Sequence, residues 1–430
     1  MSLLASAQIQ PHPAMILPFI VMLLSIAVMP FVHRHFWERH YGKIAVALGL
    51  ITVGYYVFAL QNTQRMLHVG LEYLSFSSLI GSLFVVAGGI HIRVKGESTP
   101  GSNVLFLAIG AVLANVIGTT GASMLLIRPW IRMNRSRIAG FHPVFFIFIV
   151  SNVGGALTPI GDPPLFLGFL KGVPFLWVVE NCWKPWLVAI SLLLAVFYIL
   201  DRRNFQRSSI PIRNDTTAHE AWKFDGLHNF VFLAVIIGAV FLPTPWRELL
   251  MVAAAVGSWF STRRQIHESN AFTFTPILEV AWLFIGIFAT MVPALDYLEA
   301  HAETLGIRSS QQFFWATGLL SGVLDNAPTY LTFLTAALGL QGLSLDNPAH
   351  LRLFIAQNNL DLIAISLGSV FFGALTYLGN GPNFMVKSIS EQSNVETPYF
   401  LRYLWCYAVP ILLPIYGLIG LLFFSRFSPF

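Results

Sequence analysis

The chain has 430 residues, 56% of them apolar and only 10% charged, with a mean hydropathy of +0.68, whereas an average soluble domain carries roughly 25% charged residues. These values exclude a disordered chain, a nucleic-acid binder and an ordinary cytosolic enzyme. The formal net charge of +5 fits basic loops at a membrane better than an acidic soluble partner, and Cys182 and Cys406, without metal or redox spacing, read as two small core residues.

A membrane-spanning helix needs about 20 mainly apolar residues, whereas barrel strands alternate over segments of about 10. The long unalternating runs here predict an all-α polytopic membrane protein. In chain order the spans read 14–32, 43–60, 74–93, 143–170, 185–201, 228–242, 248–262, 276–293, 360–386 and 403–424, about 10 transmembrane helices. Two further apolar stretches, 103–127 and 312–339, are interrupted by small, polar and Pro residues and read as re-entrant hairpins.

The first 13 residues lack Lys and Arg, unlike a signal or transit peptide. The first run is followed by His33-Arg34-His35 and Arg39, so positive-inside bias puts the N-terminus outside. Following the chain from there places 18 of the 25 basic residues inside, Lys95, Arg137 and Arg213 among them. Arg65, Lys171, Lys184, Arg247, Arg308, Arg352 and Arg426 fall outside. That split works only if both hairpins return to the side from which they entered. The polar loop 202–226, with five basic residues, reads as a linker. The absence of a targeting segment points to a prokaryotic plasma (inner) membrane.

Two segments nearly copy each other. Gly155-Ala-Leu-Thr-Pro-Ile-Gly-Asp-Pro-Pro-Leu-Phe166 and Gly373-Ala-Leu-Thr-Tyr-Leu-Gly-Asn-Gly-Pro-Asn-Phe384 agree at seven of twelve positions. Upstream of each lies one interrupted stretch, containing Asn115-Val-Ile-Gly-Thr-Thr-Gly-Ala-Ser123 and Leu324-Asp-Asn-Ala-Pro-Thr329 respectively. The order hairpin, broken helix, helix therefore occurs twice, in opposite directions through the membrane. This predicts an N-terminal helix (1–42), a first inverted repeat (43–201, with hairpin 103–127 and broken helix 143–170), a linker loop and helix (202–247), and a second inverted repeat (248–430, with hairpin 312–339 and broken helix 360–386). Inverted repeats with discontinuous helices mark secondary transporters. Irregular backbone is tolerated at membrane depth only where protein buries it or it lines a wet cavity. The unwound hinge positions are Gly155, Gly161, Pro163, Pro164, Gly373, Gly379, Gly381 and Pro382.

An ionisable side chain within a span costs about 2.5–3.5 kcal/mol on insertion scales and is functional by default. Asp162 lies in the first break and Asp325 at the second hairpin tip. Their repeat counterparts are neutral: Asn380 matches Asp162, and the Ile117/Gly118 region matches Asp325. A carboxylate removed from water favours its protonated form unless a cation sits beside it, so it can exchange a proton for a cation. Asp162 before Pro163-Pro164 is also a good helix cap, as is Asn326 before Pro328. Thr119, Thr120, Asn152, Thr158, Asn326, Thr329, Thr376, Asn380 and Asn383 are candidate oxygen donors to a hard cation such as sodium. Glu279 opens the 276–293 span at an interfacial position, with a proton relay as the alternative. His91, His142 and Lys387 read as interfacial or lipid-facing anchors.

Gly154-Gly-Ala-Leu-Thr-Pro-Ile-Gly-Asp162 resembles the motif of NhaD-type sodium/proton antiporters, members of the ion transporter superfamily. Gly379-Asn-Gly-Pro-Asn383 resembles the second unwound-helix motif of that superfamily, and Asp325-Asn-Ala-Pro328 its second hairpin tip. The chain is also similar to the CitMHS-like citrate transporters. The resemblance implies an inverted-repeat homodimer with a scaffold and a moving transport domain. The carboxylate symporters carry Ser-Asn-Thr at both hairpin tips. Here the tips read Gly118-Thr-Thr-Gly121 and Asp325-Asn-Ala327, and Asp162 replaces a neutral residue. Extra negative charge without a neighbouring Lys or Arg suits a cation better than a polyanion.

The expectation is a non-enzymatic secondary ion transporter, a sodium/proton antiporter working by alternating access. Asp162 and Asp325 would bind the proton or sodium, without a cofactor, and the lipid bilayer would be the partner rather than a nucleic acid. The alternative is a symporter of citrate or another carboxylate, free or metal-complexed. An intramembrane aspartyl protease is a remote third reading, since Pro159 and Leu324 depart from its two aspartate motifs.

Overall fold

The structure, a computed structural model, describes residues 11–93, 98–208 and 223–425. Lys95, Arg213, Arg426 and most of the expected linker loop lie outside the described residues. Among the described residues the architecture is helical, apart from one short antiparallel ladder that pairs β1 (His91–Arg93) with β2 (Lys223–Asp225). Among the described residues seven segments are long and apolar enough to cross a membrane, or eight if one sharply bent pair is counted as a span. The chain is thus an all-α polytopic membrane protein.

The helices run α1 (Leu17–Val32), α2 (Arg34–Gly54, extended by a π-turn to Ala59), α3 (Thr63–Gly88), α4 (Pro100–Met133), α5 (Phe141–Ile149), α6 (Pro163–Lys171) and α7 (Trp177–Arg207). They continue as α8 (Asn229–Ala239), α9 (Trp246–Ser261), α10 (Arg264–Ser269), α11 (Thr275–His301), α12 (Ser310–Ser321) and α13 (Asn326–Gly339). The last are α14 (Pro348–Gln357), α15 (Asn359–Phe372), α16 (Gly381–Gln392) and α17 (Phe400–Phe423). Each expected span falls mainly on helix, although 74–93 starts inside α3 and runs past its end into β1. Broken helix 143–170 is α5 and α6 around irregular residues 150–162, and broken helix 360–386 is α15 and α16 around residues 373–380.

Helix α4 is a hairpin, not a 34-residue rod. Straight, it would extend about 50 Å at 1.5 Å per residue. Instead the Asn103 amide donates to Asn134 Oδ1 at 2.8 Å across 31 positions. The reversal falls at Gly118, whose φ of 75° and ψ of 156° are open to glycine and costly for other residues. The second hairpin turns through Gly322–Asp325, between α12 and α13.

Several expectations need correction. Helix α2 begins at Arg34 rather than 43, because the charged, aromatic segment 34–42 continues the helix and buries Trp37. Arg34, Arg39 and Lys43 are therefore helical, not loop, residues. Hydropathy runs miss such amphipathic extensions. It also misses α14, which Asn347 caps through its bond from Ala349 N–H and which bends by 99° into the next helix. Of the cysteines only Cys182 is buried; Cys406 is exposed.

His142 is not a lipid-facing anchor but fully buried. Its Nδ1 accepts from Ala139 N–H, leaving Nε2–H to donate to Asp201 Oδ1 at 3.1 Å. Arg137 pairs with both Asp201 oxygens, and Asn103 donates to Asp201 at 2.8 Å. This cluster ties both ends of the first hairpin to α5 and α7. His91 is likewise buried, against Asn270 at 2.6 Å, and Lys387 pairs with Glu391 at 2.6 Å.

Removing one partner of a buried ion pair strands the other and costs about 3–5 kcal/mol. Asp201→Ala therefore lowers the Tm of the detergent-solubilised protein strongly, and the double variant Asp201→Leu/Arg137→Met recovers most of the loss. A second thermal comparison tests the first break. A methyl group on Gly161 would meet the Gly155 carbonyl oxygen at 2.1 Å, whereas one on Gly54 meets nothing. Gly161→Ala is expected to destabilise by about 1–3 kcal/mol and Gly54→Ala to leave stability unchanged or raised.

Candidate functional site

The two breaks are built alike. Thr158 Oγ1 accepts from Gly161 N–H at 3.1 Å, and Thr376 Oγ1 accepts from Gly379 N–H at 3.3 Å. Each hairpin tip then bonds to the matching glycine carbonyl: Thr119 N–H to Gly161 O at 2.7 Å and Asn326 N–H to Gly379 O at 3.2 Å. Through these bonds Thr119 corresponds to Asn326, so Asp325 stands where the other tip has Gly118. The glycines are needed where backbones touch. A methyl group on Gly155 would lie 2.5 Å from Thr119 Cγ2.

Asp162 is where the halves meet. It precedes α6, yet its side chain makes no cap; the expected capping role is not taken up. The carboxylate turns inward and is 1% exposed. Oδ1 accepts from Thr119 Oγ1 at 2.7 Å and from Asn380 Nδ2 at 2.8 Å. Oδ2 accepts from Asn326 Nδ2 at 2.5 Å. Thr119 belongs to the first hairpin, whereas Asn326 and Asn380 come from the second hairpin and the second break. A carboxylate buried among neutral amides and a hydroxyl is stabilised by hydrogen bonds but lacks a full countercharge.

Asn152 and Asn383 form a second bridge. Asn152 Nδ2 donates to Asn383 Oδ1 at 2.7 Å and to Ile147 O at 2.8 Å. Asn383 Nδ2 donates to the carbonyls of Gly373 and Thr376 at 2.8 and 2.9 Å. Two fully buried amide oxygens, Asn152 Oδ1 and Asn326 Oδ1, have no hydrogen-bond partner. Buried acceptors are nearly always satisfied, and of these two amides it is that of Asn326 that touches Asp162, through its Nδ2.

The remaining expected residues divide. Asp325 is half-buried and caps α13 by accepting from Ala327 N–H at 3.0 Å. Asn326 is not a cap, since its side chain reaches Asp162. Thr329 Oγ1 donates to Asp325 O at 2.9 Å and Thr158 Oγ1 to Asn115 O at 2.6 Å. Those hydroxyls, like that of Thr376, hold backbone. Pro163 and Pro164 open α6, and Gly381 and Pro382 open α16. Glu279 lies in the second turn of α11, half-buried. Among the described residues no group of three His, Cys, Asp or Glu side chains is placed to hold a metal.

A small crevice of about 20 Å³ opens beside Asp162, which is room for about one water-sized guest. Thr119, Thr120, Gly118 and Pro159 line it together with Leu79 and Leu83 of α3. Sequence reading missed Asn115, which donates to Gly154 O at 2.7 Å and accepts from Leu157 N–H at 2.8 Å. Its side chain thus replaces helix bonds lost at the first break. An Asn two turns from no obvious partner carries no signal until the fold places the break next to it.

Helices interrupted around a buried charge, in a chain this apolar, are the build of a membrane transporter. The family model described as "Putative citrate transport" (CitMHS_2) matches residues 8–424, and the chain belongs to that family. No curated protein matches the chain.

The Asp162 geometry makes a specific demand on substitution. Asp162→Asn would point an amide donor at a ring of donors, leaving at least one unsatisfied at a cost of about 1–3 kcal/mol. Asp325→Asn retains a good cap and should leave the Tm nearly unchanged. Adding Asn380→Asp to Asp162→Asn returns an acceptor to the cluster and should recover part of the loss in a double-mutant thermal cycle.

Proposed function

We propose that the chain is a secondary transporter exchanging a monovalent cation, sodium first, for protons. The observation that carries this reading is the Asp162 carboxylate: it is fully buried and bonded to neutral donors from both halves, one of which, the Asn326 amide, has an unpartnered oxygen. A dehydrated cation would bind Asp162 with Asn326 Oδ1 and Asn152 Oδ1. Protonation of the carboxylate would release it. Asp325, at the N-terminus of α13, would hold a second proton or cation.

In this reading the two motifs are inverted repeats, the hairpins are re-entrant, and alternating access carries the site from one face to the other. The shared tip-to-break bonds, Thr119 to Gly161 and Asn326 to Gly379, support the repeat relation. The smallness of the crevice supports a single ion over a tricarboxylate. A homodimer in a prokaryotic inner membrane with the N-terminus outside accords with the resemblance and the charge bias.

The second reading is cation-coupled transport of citrate or a related carboxylate, which the family's description favours. Asp162 would then hold the coupling ion, and the carboxylate would need donors from the free ends of α6, α13 and α16.

The test uses purified protein in liposomes with an imposed pH gradient and an internal pH dye. Sodium or lithium added outside is expected to collapse the gradient, and Asp162→Asn to abolish the response. A gradient that responds only to citrate, with or without a metal, would overturn exchange and select the symporter.

A further inference from the structure

One cluster of charge is used neither by the site nor by the first hairpin's anchor. Lys171, the last residue of α6, pairs with Glu72 of α3 at 2.8 Å and with Asp346, in the segment after the second hairpin, at 3.1 Å. Arg65 of α3 pairs with that same Asp346 and, at 2.7 Å, with Asp296 of α11. Tyr56 Oη donates to the second Asp296 oxygen at 2.6 Å. Lys171, Glu72 and Arg65 are largely buried, with side chains 6%, 9% and 14% exposed.

The connectivity of this lattice is what gives it meaning. Helices α2, α3 and α11 pack on one another, and Gly49 and Gly286 permit close approach between α2 and α11. Helix α6 and the second hairpin carry Asp162 and its donor Asn326. The lattice therefore joins the elements that carry Asp162 and Asn326 to α3 and α11, which supply none of the hydrogen bonds to Asp162. Helix α6 links the two places directly. It begins after Asp162 and ends at Lys171, a rod of about 13 Å at 1.5 Å per residue. A displacement of α6 relative to α3 moves Lys171 together with Asp162 and must part Lys171 from Glu72.

Asp346 lies outside the spans. Burial would raise its carboxyl pKa, but Lys171 and Arg65 outweigh that and hold it down to about 2. Asp346 is thus the anion shared by two cations of the lattice.

We propose that Lys171, Glu72, Asp346, Arg65 and Asp296 form a charged gate on their face of the membrane, and that its rupture admits the ion to Asp162 from that face. This gate rests on the alternating-access reading above but not on the identity of the ion. Buried pairs of this kind resist separation because each charge would be stranded. They are stable when closed and are replaced by water when open.

The test reads accessibility rather than transport, so failure of the sodium assay leaves it intact. In a Cys182→Ala/Cys406→Ser background, Thr120→Cys reports on the crevice. A membrane-impermeant maleimide is applied to liposomes from each side in turn. Lys171→Met is expected to raise labelling from the Lys171 face about tenfold, since loss of about 1.4 kcal/mol from the closed state shifts its population by that factor. Asp346→Asn should act in the same direction, and Lys171→Arg, which retains the charge, should label at the parental rate. Labelling unchanged in Lys171→Met, equally raised from both faces, or raised as much in Lys171→Arg would overturn the gate.

Discussion

A carboxylate without a countercharge, buried where four backbone breaks converge, is the constraint on which the rest of this molecule depends. Asp162 can be kept there only if enough donors reach it, and those donors must come from both halves of the chain. Thr119, Asn326 and Asn380 do so, and each sits at a hairpin tip or a break. The irregular backbone is thus not a defect in otherwise regular helices. It delivers short polar side chains to one buried point, and glycines at 118, 155 and 161 let the segments approach closely enough to do it. The free amide and carbonyl groups at each break are taken up locally by Thr158, Thr376, Asn115 and Asn383.

The same broken helix organises the polar groups along its length. His142, at the start of α5, belongs to the buried Arg137–Asp201 cluster. Asp162 lies at the break, and Lys171 ends α6 in a second ionic cluster. Charge is therefore concentrated at the two ends and the middle of one element, with apolar packing between. The end at His142 is braced by fully buried partners within the first hairpin and α7. The end at Lys171 is held to α3 and α11 through partners that remain partly exposed. That asymmetry is why the first reads as an anchor and the second as a contact that opens.

Much of this was legible in the sequence for a physical reason. Long apolar runs and duplicated Gly-Pro breaks are local features, and the irregular backbone at Gly118, at 150–162 and at 373–380 lies where those features put it. Arg65 and Lys171 meet through Asp346. Asp162, Asn380 and Asn326 stood out as polar residues in apolar surroundings, and they converge. What was not legible depends on partners distant in sequence. Asp201 lies at the end of the expected span 185–201, and Glu72 and Asp296 fall just outside 74–93 and 276–293, so the rule that singles out Asp162 does not reach them. Their pairing with Arg137, Lys171 and Arg65 appears only once the helices are packed. His142 was misread because a histidine at a helix end looks interfacial until Asp201 is brought beside it. The threonines at 158, 329 and 376 were read as ion donors, but their hydroxyls hold backbone, a choice that composition alone does not decide.

The central claim is that one buried carboxylate trades a proton for a cation. It is tested most directly by adding sodium to the detergent-solubilised protein in weak buffer while recording bound sodium and released protons together. The account predicts proton release that rises in step with sodium binding and disappears in Asp162→Asn. Sodium binding with no proton release, or proton release undiminished in Asp162→Asn, would contradict it.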